Sequence, residues 1–439
     1  MLATIRNYPR TVNLLLSATL ILTLAKAITF PYLVIYLTNH FALDISQVGL
    51  VIGSSLIVGS LLSVYGGFLV DRISSYRLLL SLSVVFALGF IGTVLAPEIW
   101  SFYSCLILIN LAYAVIDIAI KSGFASLLPE DQRSEAFSIK YTLTNIGYAV
   151  GPFFGAMIAK LDISLPFILS AVLGLGFFLL YWRWGDRTLA TVDTTQKPVS
   201  FLAVGRVLLR DHRLVCFTLG GLLSAVVFGQ FTAYLSQYLV TTTTAEYTYT
   251  IISAVLTTNA VLVIALQYAI GRRISHRHLS QWLIFGLGMF MLGVMGFALA
   301  SNVWWWIVAM AIFTVGEIVV FPAEYMFIDR IAPDHLRGMY YGAQNLSNLG
   351  AALGPVLCGL VLASLPAHYM FYMLAAFIVG GGGVLFCRCV VEGTLATVGA
   401  SLLAKNAQAP RSFRRGALSL TTFASKLAPT KGVAAGHPA

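Results

Sequence analysis

The chain has 439 residues, of which 59% are hydrophobic and 10% charged, and its mean hydropathy is +0.87. About a quarter of a soluble domain is charged and no single soluble core buries this much apolar surface, so the composition excludes an ordinary water-soluble protein. The net charge of +10 is read as membrane topology and attraction to anionic lipid headgroups, not as a nucleic-acid partner.

Twelve apolar segments are predicted, at roughly 12–37, 47–70, 78–96, 101–128, 136–159, 166–184, 214–240, 249–270, 280–300, 303–328, 339–364 and 369–388. Each supplies the ~20 residues that cross ~30 Å of hydrocarbon as a helix, and the alternation of a β-barrel is absent. The expected fold class is all-α, a polytopic membrane protein with twelve transmembrane helices. All of the 27 Lys and Arg except Lys26 and Lys160 fall on the side shared by both termini. Positive residues stay cytoplasmic, which predicts that both termini face the cytosol.

The first segment opens like a cleavable signal, with Arg6 and Arg10, an apolar run to Leu24, then Ala25-Lys26-Ala27. The apolar run resumes through Tyr36, however, and cleavage would leave eleven segments, so a membrane helix is expected. Lys26 lies ~21 Å along that helix at 1.5 Å per residue, too deep to snorkel, and should face a polar cavity or a carboxylate. The second segment ends in Gly67-Phe-Leu69-Val-Asp71-Arg72, with Arg77 further on. A carboxylate at such a helix end can neutralise a neighbouring helix N-terminus and hold a basic partner, forming a latch; the plainer alternative is a charged turn.

The fourth segment holds Asp117 and, one turn on, Lys121. Asp117 sits ~16 Å from the inner end, a depth that lets it meet Lys26 or pair with Lys121 at i,i+4, and the sequence leaves both open. Lys121 and Lys140 read as interface anchors. In the fifth segment Gly147, Gly151 and Gly155 recur every fourth residue, giving a helix one side-chain-free stripe for close packing, with a bend expected at Pro152.

Residues 185–213 form a polar linker, of which 200–210 is amphipathic enough to lie on the membrane. In the seventh segment Gln230, Tyr234 and Gln237 share a face at i, i+4, i+7 and are expected to line a cavity, because amides facing lipid would be unsatisfied. In the tenth, Glu317 and Glu324 also lie seven apart. Glu324 is ~6 Å from the inner end and within reach of Arg330 or Arg337, whereas Glu317 is ~16 Å deep with no basic neighbour in its own helix, as a proton-carrying carboxylate would be. Gln344 and Asn345 extend the polar inventory in the eleventh.

There the chain repeats itself: Gly350-Ala-Ala-Leu-Gly354-Pro355, with Gly359 beyond, follows the first stripe by about 203 residues. Pro129 and Arg133 recur as Pro333 and Arg337, and Asn145 as Asn348. The membrane region is therefore expected to be two pseudo-symmetric six-helix bundles, 1–184 and 214–388, followed by a polar, disordered cytoplasmic tail at 389–439. Cys105, Cys216, Cys358, Cys387 and Cys389 lack metal or redox spacing, and neither a disulfide nor a metal is expected.

The segment ending at Arg77 resembles the loop between helices 2 and 3 of the major facilitator superfamily, Gly-x-Leu-x-Asp-Arg/Lys-x-Gly-Arg-Arg. It matches at Gly67, Leu69, Asp71 and Arg72 and departs at Ser74, Ser75 and Tyr76. The fifth segment is similar to that superfamily's antiporter signature, Gly-x-x-x-Gly-Pro-x-x-Gly, at Gly147, Gly151, Pro152 and Gly155. Val315-Gly-Glu317, Phe321-Pro-Ala-Glu324 and Asp329-Arg330 resemble the YdeE-type bacterial dipeptide exporters of the drug:proton antiporter branch. One departure stands out: Leu108-Ile-Asn110 occupies the place of that branch's helix-4 arginine, so its proton relay does not carry over.

The resemblance implies a bacterial inner-membrane secondary transporter, a monomer without cofactor, that exchanges protons for small amphiphilic solutes such as dipeptides or drugs. It also implies that helices 1, 4, 7 and 10 line the central cavity. Lys26, Asp117, Gln230, Tyr234, Gln237 and Asn345 are then the expected substrate contacts. Glu317, Asp117 and Glu324 are the expected proton carriers, and Gly67, Asp71, Arg72 and Arg77 the latch. Proton-coupled uptake of a polar metabolite is the alternative, since these motifs do not encode direction. An intramembrane enzyme is the third reading, without the common hydrolase or phosphate-loop motifs to support it.

Overall fold

The computed structural model describes residues 2–187, 200–274 and 278–385. The expected tail and Cys387 and Cys389 lie outside them, as does part of the linker. Each predicted span is a helix or a pair of helices. The N-terminal half holds a short α1 (Leu2–Asn7) and six long helices: α2 (Arg10–Phe41), α3 (Ile45–Val70), α4 (Ser75–Leu95), α5 (Ile99–Leu127), α6 (Glu130–Ala159) and α7 (Leu165–Trp184). A surface helix, α8 (Phe201–Arg210), meets α9 (His212–Phe228) at 82°. There follow α10 (Phe231–Thr242), α11 (Ala245–Gly271), α12 (Leu279–Leu299), α13 (Val303–Ile331), α14 (Arg337–Gln344), α15 (Asn348–Ser364) and α16 (Tyr369–Leu385). α2 passes unbroken through Ala25 and Ala27, both buried.

The helix starts are written locally. Asp44 accepts from the Gln47 amide at 2.9 Å while the Gln47 side chain accepts from the Asp44 amide, a reciprocal cap on α3. Ser74, Thr244 and Asn302 cap α4, α11 and α13 in the same sense.

The glycine stripe packs α6 on α2. A Cβ added at Gly147 would meet Thr23, one at Gly151 would fall on Ala27, and one at Gly155 on the Ile28 carbonyl. The second stripe does the same for α15 on α9: Gly350 lies against the Leu222 carbonyl and Gly354 against that of Val226. Gly359 makes no such approach. Thus the repeat in sequence is a repeat in packing, with α2 and α6 in one half matched by α9 and α15 in the other.

Two C-terminal spans are broken where their N-terminal counterparts are continuous. The seventh stops at Phe228 and restarts at Phe231, leaving Gln230 non-helical at φ −141° and ψ 44°. The eleventh narrows to a 3-10 turn at Asn345–Ser347 between α14 and α15. Irregular backbone at this depth is tolerated where it borders a polar cavity, and both breaks do so.

Candidate functional site

A cavity of about 290 Å³ lies between the halves. Its walls include Lys26 from α2, Ser60 from α3, Asn110, Tyr113 and Asp117 from α5, Tyr148 from α6, and Gln230, Asn345 and Asn348 from the two breaks. Lys26 Nζ sits 4.6 Å over the Tyr113 ring, a cation–π contact, and forms no ion pair among the described residues. An apolar recess of only about 20 Å³, room for little more than one water, adjoins it, sharing Lys26 and Asn110 and lined by Phe30, Leu33, Phe90, Leu106, Ile109 and Phe167.

Asp117 resolves the choice left open above. Its carboxylate is held by Lys121 Nζ at 2.7 Å and by Lys140 Nζ, from α6, at 2.5 Å, so the i,i+4 partner is present and Lys26 is not bonded to it. Lys121 and Lys140 are not interface anchors: both are buried, because Asp117 and the rings of Tyr325 and Tyr341 replace water around them. Glu324 also turns inward, beside Lys121 and Gln344, while Arg337 goes instead to Asp329 and Asp334. The cluster therefore balances two carboxylates against two ammonium groups, and Lys26 is the cation left to face the cavity.

The expected polar stripe on the seventh span does not hold. Gln230 lies in the break rather than on the helix, so Tyr234 and Gln237 do not share its face. Gln230 lines the cavity; Tyr234 and Gln237 do not, and Tyr234 is buried with its hydroxyl unpartnered. Glu317 is also absent from the cavity wall. It is buried in the seam between the halves, where Tyr141 from α6 and Asn259 from α11 each donate to it at 2.6 Å.

The seam is strongest at the end of the bundle where the basic residues gather. Asp71 accepts from the amides of Gly338 and Met339, at 2.6 and 2.9 Å, in the first turn of α14. Gly67 is pressed against the Gly338 carbonyl. Burial pushes the Asp71 carboxyl up to about 7, against the opposing pull of these amides and of Arg72 and Arg337. Arg77 does not join this contact: with Arg72 it lines a separate surface pocket. On the other side of the pseudo-symmetry axis, Ser134 donates to the Gly271 carbonyl at 2.7 Å, and Glu135 accepts from Thr4 at 2.9 Å and Tyr268 at 2.6 Å. Between these two contacts Arg133 and Arg337, the arginines related by the repeat, converge on the buried Asp329 at 2.8 and 3.7 Å.

A sequence model of the Major Facilitator Superfamily matches residues 15–355. The chain is 34% identical over 371 residues to the uncharacterized MFS-type transporter YdeE of Escherichia coli (strain K12), covering 84% of this chain and 93% of that one. The chain belongs to the major facilitator superfamily. It is also 26% identical to a Na(+), Li(+), K(+)/H(+) antiporter of Planococcus maritimus, over 87% of this chain and 96% of that one. Among solved structures, the superfamily transporter FucP in its outward conformation superposes with a TM-score of 0.70 at 16% identity, covering 86% of this chain and 97% of that one. As a superfamily member this is a multi-pass membrane transporter and not an enzyme, and its twelve spans form the superfamily's two six-helix bundles.

Several residues in or beside the cavity were not read from the sequence as part of a site. Tyr113, Tyr148 and Lys140 carry no motif; the available signal is that Tyr141 and Tyr148, like Arg133 and Lys140, stand seven apart on α6, a helix more polar than its neighbours. Gly229-Gln230 was the available sign of a break.

Proposed function

We propose that the protein is a proton-coupled exporter of small amphiphilic solutes that works by alternating access, as a monomer in a bacterial inner membrane with both termini cytoplasmic. The observation that carries this reading is a central cavity pairing the Lys26 cation with apolar walls at Leu56, Ile57 and Tyr113, closed off at the basic end where Asp71, at the end of α3, meets α14. By the distribution of Lys and Arg that end is cytoplasmic, so this arrangement is the outward-facing one. A solute carboxylate would lie against Lys26, its amide or hydroxyl groups against Asn110, Gln230 and Asn345, and its apolar part against Leu56, Ile57 and Ala114 of the cavity wall. Dipeptides and acidic drugs both have that form. The ammonium group of a dipeptide would meet the Tyr148 ring and side-chain carbonyls, since Asp117 is already held by two lysines.

Glu317 is the leading proton carrier, with Asp117 and Glu324 behind it. Because it faces the seam and not the cavity, protons and solute would not compete at one carboxylate. Opening the basic end would part Glu317 from Tyr141 and present it to cytoplasmic protons, so its charge state would bias which end is open.

Vesicles containing the purified protein, loaded with a labelled dipeptide or a labelled acidic drug, test the reading. Under an imposed pH gradient the solute should move uphill, unaltered, as protons move the other way. Glu317→Gln should abolish uphill movement and spare exchange down a gradient. An undiminished concentration ratio in that variant would remove Glu317 from coupling, and absence of any pH-driven movement would overturn the proposal.

A further inference from the structure

A surface pocket of about 780 Å³ lies far from the cavity, at the basic end of the N-terminal half. It is lined by Arg72, Ser74, Tyr76, Arg77, Trp182 and Arg187, which come from the turn after α3, the first turn of α4 and the end of α7. The three arginines give it a strong positive character. Among the described residues no carboxylate lines it, and Asp71 is turned to α14. The floor is rigid, since the Tyr76 hydroxyl donates to the Trp182 carbonyl at 3.1 Å and its ring stacks on Tyr181.

A second pocket of about 450 Å³ adjoins the first through Trp182. It is an apolar groove on the outer face of α7, lined by Gly176, Leu179, Leu180, Trp182, Arg183 and Trp184. Gly176 has open space where a side chain would stand, which is what gives the groove its depth. Trp182 and Trp184 are 52% and 59% exposed, as aromatics at a membrane interface are. A cationic pocket that shares Trp182 with an apolar groove on the outer face of α7 has the shape of one ligand, a charged head with a hydrocarbon tail.

We infer that Arg72, Arg77 and Arg187 bind the phosphate of an anionic phospholipid whose acyl chain lies in the Gly176–Trp184 groove. Guanidinium groups suit this role, because their planar forks engage phosphate oxygens in pairs and remain charged at any working pH. The site does not depend on the transported solute. It ties the end of α3, which carries the latch residue Asp71, to one leaflet of the membrane.

The test is native mass spectrometry of the full-length, delipidated protein titrated with dioleoylphosphatidylglycerol, dioleoylphosphatidylcholine or inorganic phosphate. A phosphatidylglycerol adduct should survive, phosphatidylcholine should bind at least about tenfold more weakly, and excess inorganic phosphate should not displace the lipid. The double variant Arg77→Gln, Arg187→Gln should lose about tenfold or more in phosphatidylglycerol affinity, as expected for removing two charge-assisted contacts. Gly176→Leu, which fills the groove from a position with room for it, should weaken the lipid with all three arginines intact. Equal retention of the two lipids, unchanged binding in both variants, or displacement by inorganic phosphate would each overturn the inference. The last would make this a soluble-phosphate site. Both variants replace residues at the surface, and unchanged melting temperatures would show that they fold.

Discussion

Two buried lysines share one carboxylate at Asp117, and that arithmetic separates structure from binding. Removing a member of a buried charge cluster leaves the others unpaired, so Asp117→Asn should destabilise the protein by about 3 kcal/mol, read as a lowered unfolding temperature in detergent. Lys26 has a ring and a cavity around it in place of a carboxylate. Lys26→Ala should therefore leave the unfolding temperature within a degree or two. It should cost roughly 1–3 kcal/mol in affinity for a carboxylate-bearing solute relative to its uncharged analogue, measured by calorimetry or thermal shift. If the two variants destabilise equally, Lys26 is a structural lysine.

At the scale of elements, the close approach of α6 to α2 leaves no room for a side chain on the stripe. Gly151→Leu would drive into Ala27 and the backbone at Ile28, and neither can move without shifting α2. Overpacking of this kind should cost about 1–3 kcal/mol and depress transport as well, because α2 carries Lys26. Gly53→Leu on α3 is the control: nothing stands within 4 Å of its added Cβ, and it should be close to neutral. Equal melting temperatures for the two variants would show that the stripe is not tightly packed.

At the scale of the whole molecule the two halves meet most firmly at the basic end, and Asp71 makes that closure sensitive to pH. Its carboxyl titrates near 7 when buried against α14 and near its ordinary 3.8 when the end is open to water. A group whose pKa is higher in the closed arrangement stabilises closure fully below the lower value, and that contribution fades as pH rises through about 7. Spin labels at Ser126 and His335, exposed on opposite halves at this end, should report a closed fraction that falls between about pH 5 and 8. Asp71→Asn should flatten the profile and slow transport while leaving folding near normal; an unchanged slope would reduce Asp71 to a surface charge. Sidedness has its own check. Single cysteines at Lys160 and His368 should react with an impermeant reagent from outside intact cells, and one at Arg206 on α8 should not. The reverse pattern would invert the orientation.

The sequence by itself determined the twelve-segment, duplicated architecture, because hydrophobic length and the spacing of glycine and proline are local properties that survive whatever the helices pack against. Depth along a helix, counted from its end, put Lys26 and Asp117 at mid-membrane, and the resemblance to the superfamily pointed them, Gln230 and Asn345 at the cavity they line. Only the tertiary structure decided partnership. Asp117 had Lys121 within reach in its own helix, but Lys140 arrives from α6; Glu317 had no partner in its own helix, and Tyr141 and Asn259 come from two others. The break at Gln230 was likewise invisible to a helical count, and it turned Tyr234 and Gln237 away from the cavity. Charge pairing between helices depends on rotation and crossing, which are set by the sum of packing contacts along each helix and leave no periodic trace in any one of them.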